Sequence, residues 1–197
     1  MPPAQADIIL NSVLASLNIQ NSTFEVIYNQ IPAIVHDLHI LNAEQAISPK
    51  TTGTISERLC EFGLKSAVPD FYKNIGNDWN WMADFSVYGH PFNLLISVKS
   101  FKAKERLLVS GSGNNLSPTI GWGLFDDPAE WSIERVKRYL FRSFIVIYMP
   151  TSLYNKLDAN VIGIKNINGN PFIRELNTFV LDLRNATVNN AIDISRI

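Results

Sequence analysis

Two apolar runs, Trp81 to Tyr88 and Phe92 to Ser100, flank a short Gly89-His90-Pro91 turn, and each run carries one charge, Asp84 and Lys99. This pattern predicts an antiparallel hairpin. A turn centred near residue 90 or 91 sets Asp84 about opposite Ser97, with Lys99 two residues further along. Side chains alternate between the faces of a strand, so Ser97 and Lys99 share a face, and Asp84 falls on the same one. Charges are scarce in buried strands unless they are paired or hold a metal. The hairpin is therefore either a plain buried Asp84–Lys99 ion pair or a chemical site.

The order of elements around the hairpin limits the fold. Apolar periodicity in Ala6 to Leu17 and Phe24 to Leu41 predicts helices over the first 50 residues. Pro49 and Thr51-Thr52-Gly53 read as a break, and Thr54-Ile55-Ser56-Glu57 as a capping box opening a helix that Gly63 and Pro69 bound. Ile55, Leu59 and Phe62 form its apolar stripe. After the hairpin comes a glycine-rich stretch, Gly111 to Gly123, read as a loop. A helix from Ser132 to Arg142 and a buried strand from Phe144 to Met149 follow. A short helix at Ser152 to Leu157 and strands at Val161 to Ile167 and Thr178 to Leu183 complete the expected set. Helix, hairpin, helix and strand in that order predict an α/β or α+β fold, a sheet flanked by helices.

Bulk composition narrows the function classes. The chain has 197 residues, enough for one domain with a good core, and is 46% hydrophobic and 18% charged. Cys60 is the single cysteine, which excludes an intrachain disulfide and a cysteine-rich zinc site and suits a reducing, cytoplasmic setting. The densest apolar stretch, Phe144 to Met149, is too short to cross a membrane. Residues before the first apolar run include an acid and no base, a poor signal peptide. Net charge is −1, yet residues 99–142 carry 8 basic and 5 acidic side chains. A local basic strip of this kind can hold phosphates.

Glu57, then Asp84, then Ser97-Val98-Lys99-Ser100 resembles the active-site string of the PD-(D/E)XK nuclease superfamily. There a helix gives a glutamate, one strand an aspartate, and the next strand an acid-x-lysine pair. Gly53 to Arg58 resembles the first motif of archaeal Holliday-junction resolvases, and Ile96 to Ser100 resembles the third motif. Ser97 departs from the pattern, standing where the family usually has Glu or Asp. Pro69-Asp70 is a literal Pro-Asp but follows a helix stop, and Asp78 falls in a turn; neither meets the cross-strand arithmetic.

The resemblance, which covers residues 53–150, implies a restriction-endonuclease-like mixed sheet with an N-terminal helical region (1–50) and completing elements in 151–197. It implies Mg²⁺ as cofactor. Asp84 and Glu57 would be metal ligands, together with the backbone carbonyl of Val98, and Lys99 would be the catalytic lysine. Ser97 would act through a water, or Glu57 would supply the missing charge. Lys102, Lys104, Arg106, Arg135 and Arg138 are candidates for phosphate contacts, and Asn114 and Asn115 for base edges. His36, His39 and His90 are too dispersed for a metal site, and His39 reads as a satisfied structural residue. The tryptophans read as core or loop anchors. The implied function is hydrolysis of double-stranded DNA by a homodimeric type II restriction enzyme. A junction resolvase or repair nuclease and a catalytically inactive DNA-binding relative are the alternatives.

Overall fold

In a computed structural model the described residues are 4–76, 81–101, 107, 117–189 and 191–197. A six-stranded sheet runs in sequence order: β1 (Tyr72–Asn74), β2 (Phe85–Val87), β3 (Leu94–Lys99), β4 (Thr119–Gly123), β5 (Phe144–Met149) and β6 (Ile173–Glu175). β1–β2 and β2–β3 pair antiparallel, whereas β3–β4, β4–β5 and β5–β6 pair parallel. The parallel strands therefore end on one side of the sheet, and Lys99 is the last residue of β3. A small ribbon, β7 (Thr187–Val188) with β8 (Ala191–Ile192), lies beside the hairpin turn, where the Ile192 amide donates to the His90 carbonyl.

The first 50 residues are helical as expected: α1 (Gln5–Ser16), α2 (Phe24–Asn29) and α3 (Ile31–Gln45). With α4 (Pro49–Ala67) and α8 (Phe179–Ala186) they cover one face of the sheet. Leu94, Ile96 and Val98 of β3 point into that core beside Ile55, Leu59 and Leu64 of α4. A second cluster on the opposite face joins Phe125, Trp131 and Tyr139 to Ile147, Met149 and Ile173. There α5 (Ile133–Leu140) leads into β5, while α6 (Thr151–Tyr154) and α7 (Ala159–Ile162) connect β5 to β6. Trp122 and Trp131 are core residues, as expected.

Several expected boundaries are corrected. The helix carrying Glu57 starts at Pro49, because the Ser48 hydroxyl accepts from the Thr51 amide and Pro49 occupies the first turn, where its missing N–H costs nothing. The capping box at Thr54 does not form; the Thr54 hydroxyl instead donates back to the Lys50 carbonyl. Gly63 lies inside this helix because the Tyr28 and Phe179 rings occupy the space a Cβ would need. The end of the glycine-rich stretch is strand β4, central in the sheet. Residues 161–167 hold the end of α7 and a turn, and 178–183 begin α8. Val161, Phe179, Val180 and Leu183 meet the core from these helices.

Candidate active site

The hairpin register pairs Phe85 with Ile96, Ser86 with Leu95 and Val87 with Leu94. Beyond the last pair of this register, the Asp84 amide donates to the Ile96 carbonyl at 2.9 Å, so Asp84 shares Ile96 with Phe85 and does not pair with Ser97 as the sequence arithmetic expects. The Asp84 side chain then turns along β3. Its Oδ2 accepts from the Val98 amide at 2.6 Å and from Lys99 Nζ at 3.4 Å. Lys99 Nζ also donates to the Val98 carbonyl at 2.8 Å. Both side chains are largely shielded, 17% and 14% exposed, so the pair is neither a surface ion pair nor fully dehydrated.

Glu57 reaches the same end of β3 from α4. Its carboxyl is pushed above the ordinary range, first by burial and next by the Asp84 charge, with Lys99 and Arg58 pulling the other way. It forms no hydrogen bond or ion pair among the described residues. Two carboxylates and an ammonium thus converge where β3 stops. Cys60, one turn on, is fully enclosed; burial and the carboxylates of Asp84, Glu57 and Glu61 push its thiol well up, which removes it as a nucleophile.

Ser97 follows Ile96 on β3, but its hydroxyl is completely buried and has no hydrogen-bond partner among the described residues. Its neighbour across the parallel ladder is Gly121. Arg135 donates to the Glu130 carbonyl at 2.9 Å from the first turn of α5, and Arg138 pairs with Glu134 on its exposed face. Lys102, Lys104, Arg106, Asn114 and Asn115 lie outside the described residues, as does Asp78. Asp70 sits between α4 and β1, away from the hairpin pairing.

Sequence reasoning missed a cavity of about 550 Å³ at the carboxyl ends of β4, β5 and β6, lined among others by His36, His39, Asp126 and Lys156. In open parallel sheets this end is where ligands gather. Its one sequence signal is the acid pair Asp126-Asp127 shortly after the glycine-rich stretch. His39 is a satisfied residue, as expected, with Nε2 3.2 Å from the Leu124 carbonyl.

Among the described residues no three or more His, Cys, Asp or Glu side chains cluster as a metal cage. The donor set at β3 nevertheless suits Mg²⁺, which takes one or two carboxylates and fills its octahedron with carbonyl, water and phosphate oxygens. Asp84 Oδ1 and both Glu57 oxygens are free of protein hydrogen bonds among the described residues.

No family model and no curated protein matches the chain. Among solved structures it is similar to the restriction endonuclease PspGI in complex with substrate DNA, with a TM-score of 0.58, 15% identity and 94% of each chain covered. The fold is accordingly restriction-endonuclease-like.

Proposed function

We propose that this chain is a Mg²⁺-dependent endonuclease that hydrolyses double-stranded DNA, a sequence-specific type II restriction enzyme acting as a homodimer. The observation that carries the reading is the Asp84 carboxylate, shared between the Val98 amide and Lys99 Nζ, beside the Glu57 carboxylate, which takes no hydrogen bond among the described residues. The fold it shares with a DNA-cutting enzyme supports it.

Asp84 and Glu57 would hold the metal with the Val98 carbonyl. Bound there, Mg²⁺ supplies Lewis-acid stabilisation of charge on the phosphoryl oxygens and lowers the pKa of a water. The chain's own residues do the rest. The Val98 amide fixes the Asp84 carboxylate in place, so one oxygen is oriented before any substrate arrives. Lys99 Nζ is anchored near Asp84 and can turn from the Val98 carbonyl toward a scissile phosphate. There it donates to a nonbridging oxygen or orients the attacking water. Ser97 is walled off from the surface, so the second negative charge falls to Glu57 and not to a water on Ser97. Lys102, Lys104 and Arg106 follow Lys99 in the sequence and would hold the phosphate backbone. Arg135 and Arg138 would add contacts, and Asn114 and Asn115 would read base edges. Two copies related by a twofold would cut both strands of a palindromic site.

The test is incubation of the protein with phage DNA and Mg²⁺. Discrete fragments are expected from wild type. Asp84→Ala and Lys99→Ala should each lower cleavage by about a hundredfold or more while DNA binding and folding persist. Full activity in either variant removes this site. The serine at position 97 favours one second reading, a DNA-binding relative without activity, which predicts binding and no cutting by wild type. Cleavage confined to branched DNA identifies a resolvase.

A further inference from the structure

Lys99 ends its strand, and something must hold that end. The Lys99 carbonyl accepts from the Leu124 amide at 3.3 Å, in the residue directly after β4. The Leu124 carbonyl lies 3.2 Å from His39 Nε2 on α3. A carbonyl only accepts, so Nε2 carries the proton in this contact. Phe101, two residues past Lys99 and almost fully buried, packs its ring against the same imidazole at 4.9 Å between centroids, tilted 58°. One side chain from the N-terminal helices thus grips the residues that follow both β3 and β4.

We infer that His39 is a positioning residue for Lys99, holding the carboxyl ends of β3 and β4 in register through Leu124 and Phe101. This inference rests on the nuclease reading above for its kinetic consequence, not for its geometry. The Lys99 backbone sets where Nζ can reach, and a displacement of about 1 Å from productive geometry can cost on the order of a hundredfold in rate. His39 touches neither Asp84 nor Glu57 by any hydrogen bond, so its removal leaves the charged groups themselves intact. It belongs to the wall of the cavity beside Asp126, His36 and Lys156, a partly open setting in which a replaced ring need not collapse the core.

The experiment compares His39→Leu, which removes the donor, with His39→Gln, which restores an N–H on a side chain of similar reach. Single-turnover cleavage at saturating DNA, DNA affinity and amide hydrogen exchange at Leu124 are measured on the full chain. His39→Leu should cut about tenfold more slowly with DNA affinity unchanged, and exchange at Leu124 should quicken. His39→Gln should recover most of both. Wild-type cleavage by His39→Leu, or equal slowing in both variants, overturns the inference. If wild type cuts no DNA, the nuclease reading fails by itself. Leu124 exchange then decides the clamp, and unchanged exchange in His39→Leu refutes it. Should His39→Leu not fold, His39→Asn, too short to reach Leu124, takes its place with the same expectations.

Discussion

Glu57 holds a half-buried carboxylate with no hydrogen-bond donor on it among the described residues, close enough to Asp84 to feel its charge. Burial and a like charge both disfavour its ionised form. Its native pKa lies above the ordinary value of 4.5, so through the interval above that value the native state binds the proton more tightly than the unfolded chain. Stability therefore falls as pH rises through that interval, and the loss then stays constant toward neutrality. Glu57→Gln removes this loss. Its thermal midpoint should exceed that of wild type at pH 7, and the difference should vanish at pH values below the interval. On the metal reading, added Mg²⁺ should raise the wild-type midpoint and leave the variant's unmoved. A variant no more stable than wild type at pH 7 overturns the electrostatic argument. Asp84 and Lys99 were legible in the sequence because strand alternation and a tight turn make cross-strand position a matter of counting. The enclosure of Ser97 was not. It depends on Gly121 of β4 lying alongside it, and β4 comes from a stretch that looked like a loop.

Helix α4 contains two glycines whose replacement should act in opposite directions. A Cβ on Gly53 meets nothing within 4 Å, so Gly53→Ala should stabilise by about 0.5–1 kcal/mol through backbone entropy and helix propensity. A Cβ on Gly63 falls 2.7 Å from Tyr28 Cε2 and 3.0 Å from the Phe179 ring, so Gly63→Ala should destabilise by about 1–3 kcal/mol. Urea midpoints at unchanged slope would show it; two shifts of the same sign would refute it. The same helix shows why element boundaries were hard to see. Ser48-Pro49 is a helix-start signal, yet Pro49 beside Thr51-Thr52-Gly53 also reads as a breaker. Only the packing of those threonines, both buried, decides between them. β4 was hidden because Gly121 and Gly123 have weak strand propensity. They are required by Ile147 and Phe125, whose side chains come within 3.0 Å and 2.4 Å of where a Cβ would be. Residues 178–183 mimic a strand with their apolar and aromatic run. Burial of Phe179, Val180, Leu183 and Ala186 with Leu181 exposed is the helical spacing that a longer window would have revealed.

At the scale of the whole molecule, residues 53–150 are tied to the segments on both sides of them. Tyr28, from the N-terminal helices, fills the notch above Gly63 and takes a hydrogen bond from Trp122 Nε1 at 3.1 Å. Its own hydroxyl donates to the Leu176 carbonyl at 2.9 Å. Trp122 of β4 is wholly buried and would lose its partner if the N-terminal helices were absent, at a cost of about 1–3 kcal/mol. From the other end, Arg174 of β6 and Tyr148 of β5 converge on Asp182 of α8 at 2.7 Å and 2.8 Å, tying the sheet to the last helix. Removing residues 1–50 or 151–197 would strip one side of these contacts and bare Ile55, Leu59 and Val146, which the intact chain buries. A fragment of residues 53–150 should therefore show no cooperative thermal transition and rapid proteolysis, whereas the full chain should unfold in one transition by circular dichroism. A fragment that melts cooperatively would mean that the hairpin, α4 and the following strands carry their own core. The N-terminal helices would then be an appendage and not part of what holds Asp84 beside Lys99.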